Sequence, residues 1–142
     1  MLKYNLIHPE ILSALGSAGH GAKLLIADGN YPLVTRTNPR AQRVYLNLAP
    51  GMVTVTDVLA LLPAAIPIEA AEVMIPGAGP EPSIFTDFRE ILKPVELTPL
   101  GRWEFYDAAS EPSVALAIAT GEQRIYANIL LTIGVIPPPP NL

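Results

Sequence analysis

The sequence contains no cysteine, which excludes disulfides and thiolate metal sites. It also carries little charge. Only 15% of residues are Asp, Glu, Lys or Arg, and the net charge of −4 comes without any basic cluster. A surface that tracks nucleic-acid phosphates needs grouped Lys and Arg, so that class of partner is set aside. No apolar run approaches the length of a membrane-spanning helix. The start, Met1-Leu-Lys-Tyr-Asn-Leu-Ile-His-Pro9, lacks the apolar centre of a signal peptide. A soluble cytoplasmic protein is the resulting expectation. The two histidines, His8 and His20, lack ligand spacing and no carboxylate cluster accompanies them, so no metal is expected. Gly77-Ala-Gly-Pro80 lacks the third glycine and the helix start of a dinucleotide motif, and no serine sits in a nucleophile elbow. With no cofactor expected, redox chemistry is improbable. What remains is proton transfer on a small neutral ligand.

What is present is apolar. Half of the 142 residues are hydrophobic, enough for one domain with a substantial core. High apolar content with low charge fits two situations: apolar surface hidden in an oligomer, or a well-filled core rich in Ala and Pro. The domain is expected over residues 1–136, followed by a proline-rich tail over 137–142. Pro137 to Pro140 can only be extended, as a frayed terminus or as a ligand for a proline-recognising groove.

Helical and strand patterns alternate along the chain. Pro9 to Ala18 reads as a helix, with Pro9 at its first position, Glu10 at the positive end of its dipole, and Ile11, Leu12, Leu15 and Ala18 on one face. Gly19 is its expected stop. His8 takes the cap position, where Ser or Asp is the usual choice, and is assigned no function. Leu24 to Ala27 reads as a buried strand and Gly29-Asn-Tyr-Pro32 as a turn. The polar stretch Thr35 to Arg43 holds three arginines without interleaved aromatics and reads as a solvated loop near the site, with an anion site as the alternative. Further strands are expected from Arg43 to Leu48, Ala71 to Pro76, Val95 to Thr98, Val114 to Ala119 and Ile129 to Ile133. Further helices are expected from Thr56 to Pro63, Pro82 to Leu92 and Gly101 to Ala109. Such alternation argues for an α/β sandwich.

Two stretches carry the candidate chemistry. In the first, Gly19-His20-Gly21 precedes the strand Leu24 to Ala27, and Asp28-Gly29 follows it. His20 is either a surface residue capping the turn after the first helix or an acid/base group, since imidazole donates or accepts near neutral pH. Asp28 is a turn-forming residue, an acceptor for ligand hydroxyls, or a partner that orients His20. Eight residues separate the two, and at about 3.3 Å per residue a straight path would hold them well apart. A shared site therefore needs the chain to fold back, or needs groups from elsewhere. In the second stretch, Tyr126 and Asn128 lie two apart before a strand, where extended backbone would put both on one face. A phenol and an amide each donate and accept, which suits a polyhydroxylated ligand, or they are an edge tyrosine and a turn asparagine.

Together these stretches resemble the D-ribose pyranase/L-fucose mutarotase (RbsD/FucU) family. The resemblance rests on Gly19-His20, Asp28, Gly121-Glu122 and Tyr126-Ala127-Asn128-Ile129-Leu130-Leu131 in this order and spacing. It runs from about Leu2 to Val135. A further local match, Arg102-Trp103-Glu104-Phe105-Tyr106, favours the fucose branch. Trp103 and Tyr106 either wall a sugar face or belong to the core, the safer assignment for Trp103. The resemblance implies a three-layer α/β/α sandwich with a mixed sheet. It implies rings, commonly decamers, with sites at subunit interfaces. It implies His20 as general acid/base, with Asp28, Arg102, Tyr126 and Asn128 binding a monosaccharide. The activity expected is mutarotation of L-fucose or a related sugar. The alternatives are ribose pyranose–furanose interconversion, a non-catalytic sugar-binding accessory of uptake, and an interaction module that uses the proline tail.

Overall fold

The computed structural model describes residues 1–142. Its elements are α1 (Pro9–Ala18), β1 (Lys23–Ala27), β2 (Gln42–Tyr45), α2 (Val55–Leu59), β3 (Ile68–Met74), α3 (Ile84–Leu92), β4 (Leu97–Leu100), α4 (Arg102–Ala109), β5 (Val114–Ala119) and β6 (Ile129–Ile133). The strands form one six-stranded sheet in the order β2-β5-β1-β6-β3-β4. β1 pairs parallel with β5 and antiparallel with β6, and β6 in turn pairs antiparallel with β3. β6 is thus the one reversed strand in a mixed sheet. It brings its N-terminal end to the edge where the other strands finish.

Strand alternation splits the core into two layers. Leu24 and Ile26 of β1 face one way and join Leu116, Ile118, Ile129 and Leu131 under α1, α2 and α3. Leu25 and Ala27 face the other way and join Ala117, Leu130 and Met74 under Phe105, Tyr106, Ala108 and Ala109 of α4. The 31–41 segment completes this second layer with Tyr31, Leu33 and Ala41. The result is the three-layer α/β/α sandwich with a mixed sheet, three helices on one face and one on the other.

Several local features differ from the sequence reading. The helix at α2 starts earlier than Thr56: Thr54 is its cap, accepting from the Asp57 amide at 3.1 Å while Asp57 accepts from the Thr54 amide at 2.8 Å. This reciprocal pair is a capping box, and it holds the Asp57 carboxyl below its usual range. His8 does cap α1, with its Nδ1 accepting from the Ile11 amide at 3.3 Å. Thr37 and Asn38 of the polar stretch are buried rather than solvated. Asn38 donates to the carbonyls of Val114 and Pro112 and so ties that loop to the start of β5. Trp103 is not in the core. It is 61% exposed, because the inward face of α4 is occupied by Phe105, Tyr106, Ala108 and Ala109. No helix is long and apolar enough to cross a membrane.

Candidate active site

The ends of β1 and the start of β6 build the site. Where β1 finishes, the Asp28 amide donates to Asn128 Oδ1 at 2.8 Å, and Asn128 Nδ2 donates to Asp28 Oδ2 at 3.1 Å. The Asn30 amide donates to Asp28 Oδ1 at 2.9 Å, which makes Asp28 the head of an Asx turn. Both side chains are buried, yet both line a small cavity of ≈180 Å³ shared with Asn30, Tyr31, Met74, Arg102, Tyr106, Ile125 and Tyr126. The structure thus brings together four of the five residues expected to act: Asp28, Arg102, Tyr126 and Asn128. The cavity opens where β1 and β3 end, the usual place for ligands in open α/β sheets. A larger, open polar cleft of ≈450 Å³ adjoins it through Asn30, but of its lining only Glu122 is charged.

Burial raises the Asp28 carboxyl above its ordinary value, and the donors from Asn30, Ala127, Asn128 and Tyr31 offset this only in part. The sign follows directly. Between the ordinary carboxylate value and the raised one, the folded chain binds more protons than the unfolded chain, so this group's contribution to stability falls as pH rises through that window. A sugar held by ionised Asp28 should show the opposite trend. Sugar affinity, titrated by NMR, is expected to fall as pH drops through the raised Asp28 value, while the contribution of Asp28 to urea resistance rises. Affinity that stays flat across that window would show that Asp28 does not bind as a carboxylate.

Tyr126 reaches the cavity in a way the sequence does not suggest. Its backbone is not extended but left-handed, at φ 59, the only non-glycine residue of the chain in that region. A charged clamp next to it holds the turn. Glu122, buried, accepts from the Arg124 amide and Nε through Oε1, at 3.0 and 2.9 Å, and from Arg124 Nη2 and the Val55 amide through Oε2, at 2.8 and 3.3 Å. Arg124 also donates to Asp87 of α3 at 2.9 Å and to Thr56 of α2 at 3.3 Å. Burial alone would raise the Glu122 carboxyl, but the Arg124 bonds outweigh it and hold it below its usual range. Glu122 is part of the Gly121-Glu122 pattern, and its place in the structure gives that pattern a physical reason. It anchors the loop that delivers Tyr126 and Asn128.

His20 is not in this cavity. The Gly21 amide donates to the Ile133 carbonyl at 2.9 Å, which puts His20 where β1 begins and β6 ends, at the opposite edge of the sheet. Roughly 16 Å of strand separates it from Asp28, at about 3.3 Å for each of the five residues of β1. Asp28 therefore does not orient His20 within a protomer. That contact is made by Glu69, one residue into β3, whose Oε2 lies 3.2 Å from His20 Nε2. Both side chains are half exposed, which leaves the imidazole accessible from outside.

Comparison with known proteins agrees with this architecture. The model of the RbsD / FucU transport protein family matches residues 1–136. The chain belongs to this family. A fucose mutarotase of Danio rerio is 31% identical, with 94% of this chain and 92% of that protein covered. A D-ribose pyranase of Clostridium perfringens is 27% identical, with 96% and 99% covered. Among solved structures, the fucose mutarotase of Streptococcus pneumoniae in complex with L-fucose superposes with a TM-score of 0.82 at 26% identity, covering 96% of this chain and all of that one. Relatives of this RbsD/FucU protein thus include enzymes that interconvert forms of free sugars. Residues of the cavity and of the His20 contact that the sequence does not single out include Asn30, Tyr31, Met74, Ile125 and Glu69. Tyr31 was hidden in a turn pattern, Met74 looked like any apolar strand residue, and nothing marked Glu69 as a neighbour of His20.

Proposed function

We propose that the protein is a cytoplasmic, cofactor-independent mutarotase that interconverts the anomers of L-fucose or a closely related monosaccharide. The observation that carries this is the convergence of Asp28, Arg102, Tyr126 and Asn128 on one monosaccharide-sized cavity in a member of the RbsD/FucU family. A reducing sugar opens when its anomeric hydroxyl loses a proton and its ring oxygen gains one. Rotation about the first C–C bond and reclosure give the other anomer. Only acid/base groups and positioning are needed. Asp28 and Asn128 accept and donate to hydroxyls at the cavity floor. Tyr126 and Arg102 hold the ring from its sides. His20 moves the proton. Saturation-transfer NMR of L-fucose anomers tests the activity itself.

If His20 is the acid/base group, its distance from the cavity is bridged by a second subunit. We place the active site between protomers of a homo-oligomer, with a neighbour's His20 closing the cavity of the first. Exposed apolar side chains such as Leu48, Met52, Val53 and Ile125 support burial against another copy. This arrangement predicts complementation. His20→Gln and Asp28→Ala proteins, each inactive, should recover part of the exchange when dissociated, mixed and reassembled, since some mixed sites hold both native groups. Recovery of no activity from well-formed mixed oligomers would place both groups in one protomer's site.

Arg102 gives a second prediction. Its Nε donates to the Tyr106 hydroxyl at 3.3 Å and it has no ion-pair partner, so its guanidinium is available to a ligand. Arg102→Ala should weaken sugar binding by about 1.5–3 kcal/mol, the scale of a charge-assisted hydrogen bond, with little change in thermal stability. Unchanged fucose affinity in calorimetry would remove Arg102 from the site.

A further inference from the structure

Two arginines, Arg102 of the cavity lining and Arg36, converge on one aromatic pair. The Arg36 guanidinium lies 5.5 Å from the centre of the Trp103 ring and 5.4 Å from that of Tyr106, and the Arg102 guanidinium lies 5.2 and 5.7 Å from the same two rings. The rings meet edge to face at 5.6 Å; Tyr106 and Arg102 line the cavity, Trp103 is exposed, and Arg36 adjoins the cavity through the Tyr106 ring. Neither arginine has a carboxylate partner, in contrast to Arg89 and Arg124, which both do. The Arg36 side chain makes no hydrogen bond, although its backbone is fixed where its carbonyl accepts from the Tyr31 hydroxyl at 2.8 Å. Arg43, whose Nη2 donates to the Val34 carbonyl at 3.2 Å, steadies the same loop. The first turn of α4 begins beside them with no side-chain cap, so its free amides add partial positive charge. Two acids are placed near this group, one in the cavity lining and one in the first turn of α4. Asp28 lies on the cavity floor, engaged by Asn30 and Asn128. Glu104 folds back toward Gly101, with Oε1 3.1 Å from the position a Cβ would take there. Neither pairs with an arginine.

We propose that Arg36, Arg102 and the Trp103–Tyr106 pair form an anion subsite at the cavity mouth, so that the preferred ligand is a reducing monosaccharide with a carboxylate or phosphate remote from its anomeric carbon. This rests on the sugar-mutarotase reading and narrows its substrate class. Cation–π contact with aromatic rings restrains a guanidinium without using up its terminal N–H donors, which stay free for an anion. The cavity of ≈180 Å³ accommodates about one sugar ring, so a charged substituent would project to the arginines at its rim.

The test compares each acidic sugar with its neutral parent: D-glucuronate and D-glucose 6-phosphate against D-glucose, and D-galacturonate against D-galactose. Each is measured by direct NMR binding, by inhibition of L-fucose exchange and by its own anomer exchange. The acidic members of at least one pair should bind about tenfold or more tightly than the parent. The gap should shrink with added salt, as expected for a partly exposed charge pair. It should shrink severalfold in Arg36→Gln, with Arg102 left to hold the rest, while L-fucose exchange and circular dichroism remain unchanged. A gain for the uronates alone identifies a carboxylate ligand, and a gain for the phosphate ester alone identifies a phosphate. Equal or weaker binding of every acidic sugar, with L-fucose exchange intact, overturns the anion subsite and leaves the mutarotase reading standing. Preferential binding of acidic sugars without exchange of any sugar overturns the mutarotase reading and keeps the subsite. Neither binding nor exchange overturns both.

Discussion

His20→Gln is expected to bind sugar and to lose exchange by roughly 10²–10⁴-fold, the usual contribution of a positioned acid or base. Glutamine keeps a hydrogen-bonding group of similar reach but cannot cycle a proton. The substitution is structurally mild, because the His20 side chain is 58% exposed and its one side-chain contact is Glu69. Circular dichroism should therefore be unchanged, and size-exclusion chromatography checks that the assembly survives. The defect should lie in kcat, with KM close to that of the native protein, because Asp28, Arg102, Tyr126 and Asn128 remain in place. Saturation-transfer NMR of the fucose anomers reads the loss directly. Full exchange in the variant would overturn the assignment of His20 while leaving the family membership untouched.

Gly121→Ala is expected to be the most damaging single-methyl addition in the chain. A Cβ at Gly121 would run into the carbonyl of Ala49 and would lie 2.6 Å from the Met52 carbonyl oxygen and 2.9 Å from the Met52 amide nitrogen. All three are backbone atoms, so no side-chain rotation can relieve the overlap. The two segments are also bonded together, with the Gly121 amide donating to the Val53 carbonyl at 2.9 Å and the Gly51 amide donating to the Gly121 carbonyl at 2.6 Å. Either the 49–53 turn moves away or the loop after β5 does. The cost should reach about 3 kcal/mol, the upper end for overpacking, which is roughly a 10 °C drop in Tm for a chain of this size. Sugar affinity should fall too, because the displaced loop carries Glu122, Tyr126 and Asn128. A variant as stable as the native protein in thermal unfolding would show that this backbone crossing is looser than described.

Legibility from sequence followed the strength of the local signal. β5 and β6 are delimited in the sequence at their observed ends, because each is a short, almost wholly apolar run in the sheet interior, broken only by Thr132 in β6. α1 was equally clear from Pro9, Glu10 and its apolar face. The β3 strand starts at Ile68, earlier than the expected Ala71, because its first residues pair with β6 through a register shift that no periodicity records. The expected strand from Val95 forms instead over Leu97–Leu100. The expected strand from Arg43 to Leu48 is also shorter, at Gln42–Tyr45.

The site divides in the same way. Asp28 and Asn128 are distant in sequence, but each ends or begins a buried strand, so pairing β1 with β6 brings them together. Tyr126 was expected beside Asn128 on extended backbone, whereas its left-handed turn, held by Glu122 and Arg124, brings it into the same cavity by another route. Trp103 was misassigned because its indole suggested a core residue, while its position on α4 faces outward over two guanidiniums. The eight-residue gap between His20 and Asp28 leaves two routes to a shared site, a chain that folds back or groups from elsewhere, and the fold rules out the first by keeping them at opposite ends of β1.

The most direct test of the central claim is saturation transfer between the α and β anomers of L-fucose, measured with and without catalytic amounts of the native protein. The account predicts a rate of transfer proportional to protein concentration, abolished in His20→Gln and weakened in Arg102→Ala. Transfer no faster than the buffer rate for L-fucose, D-ribose and the acidic sugars alike, with the protein folded and assembled, would contradict it.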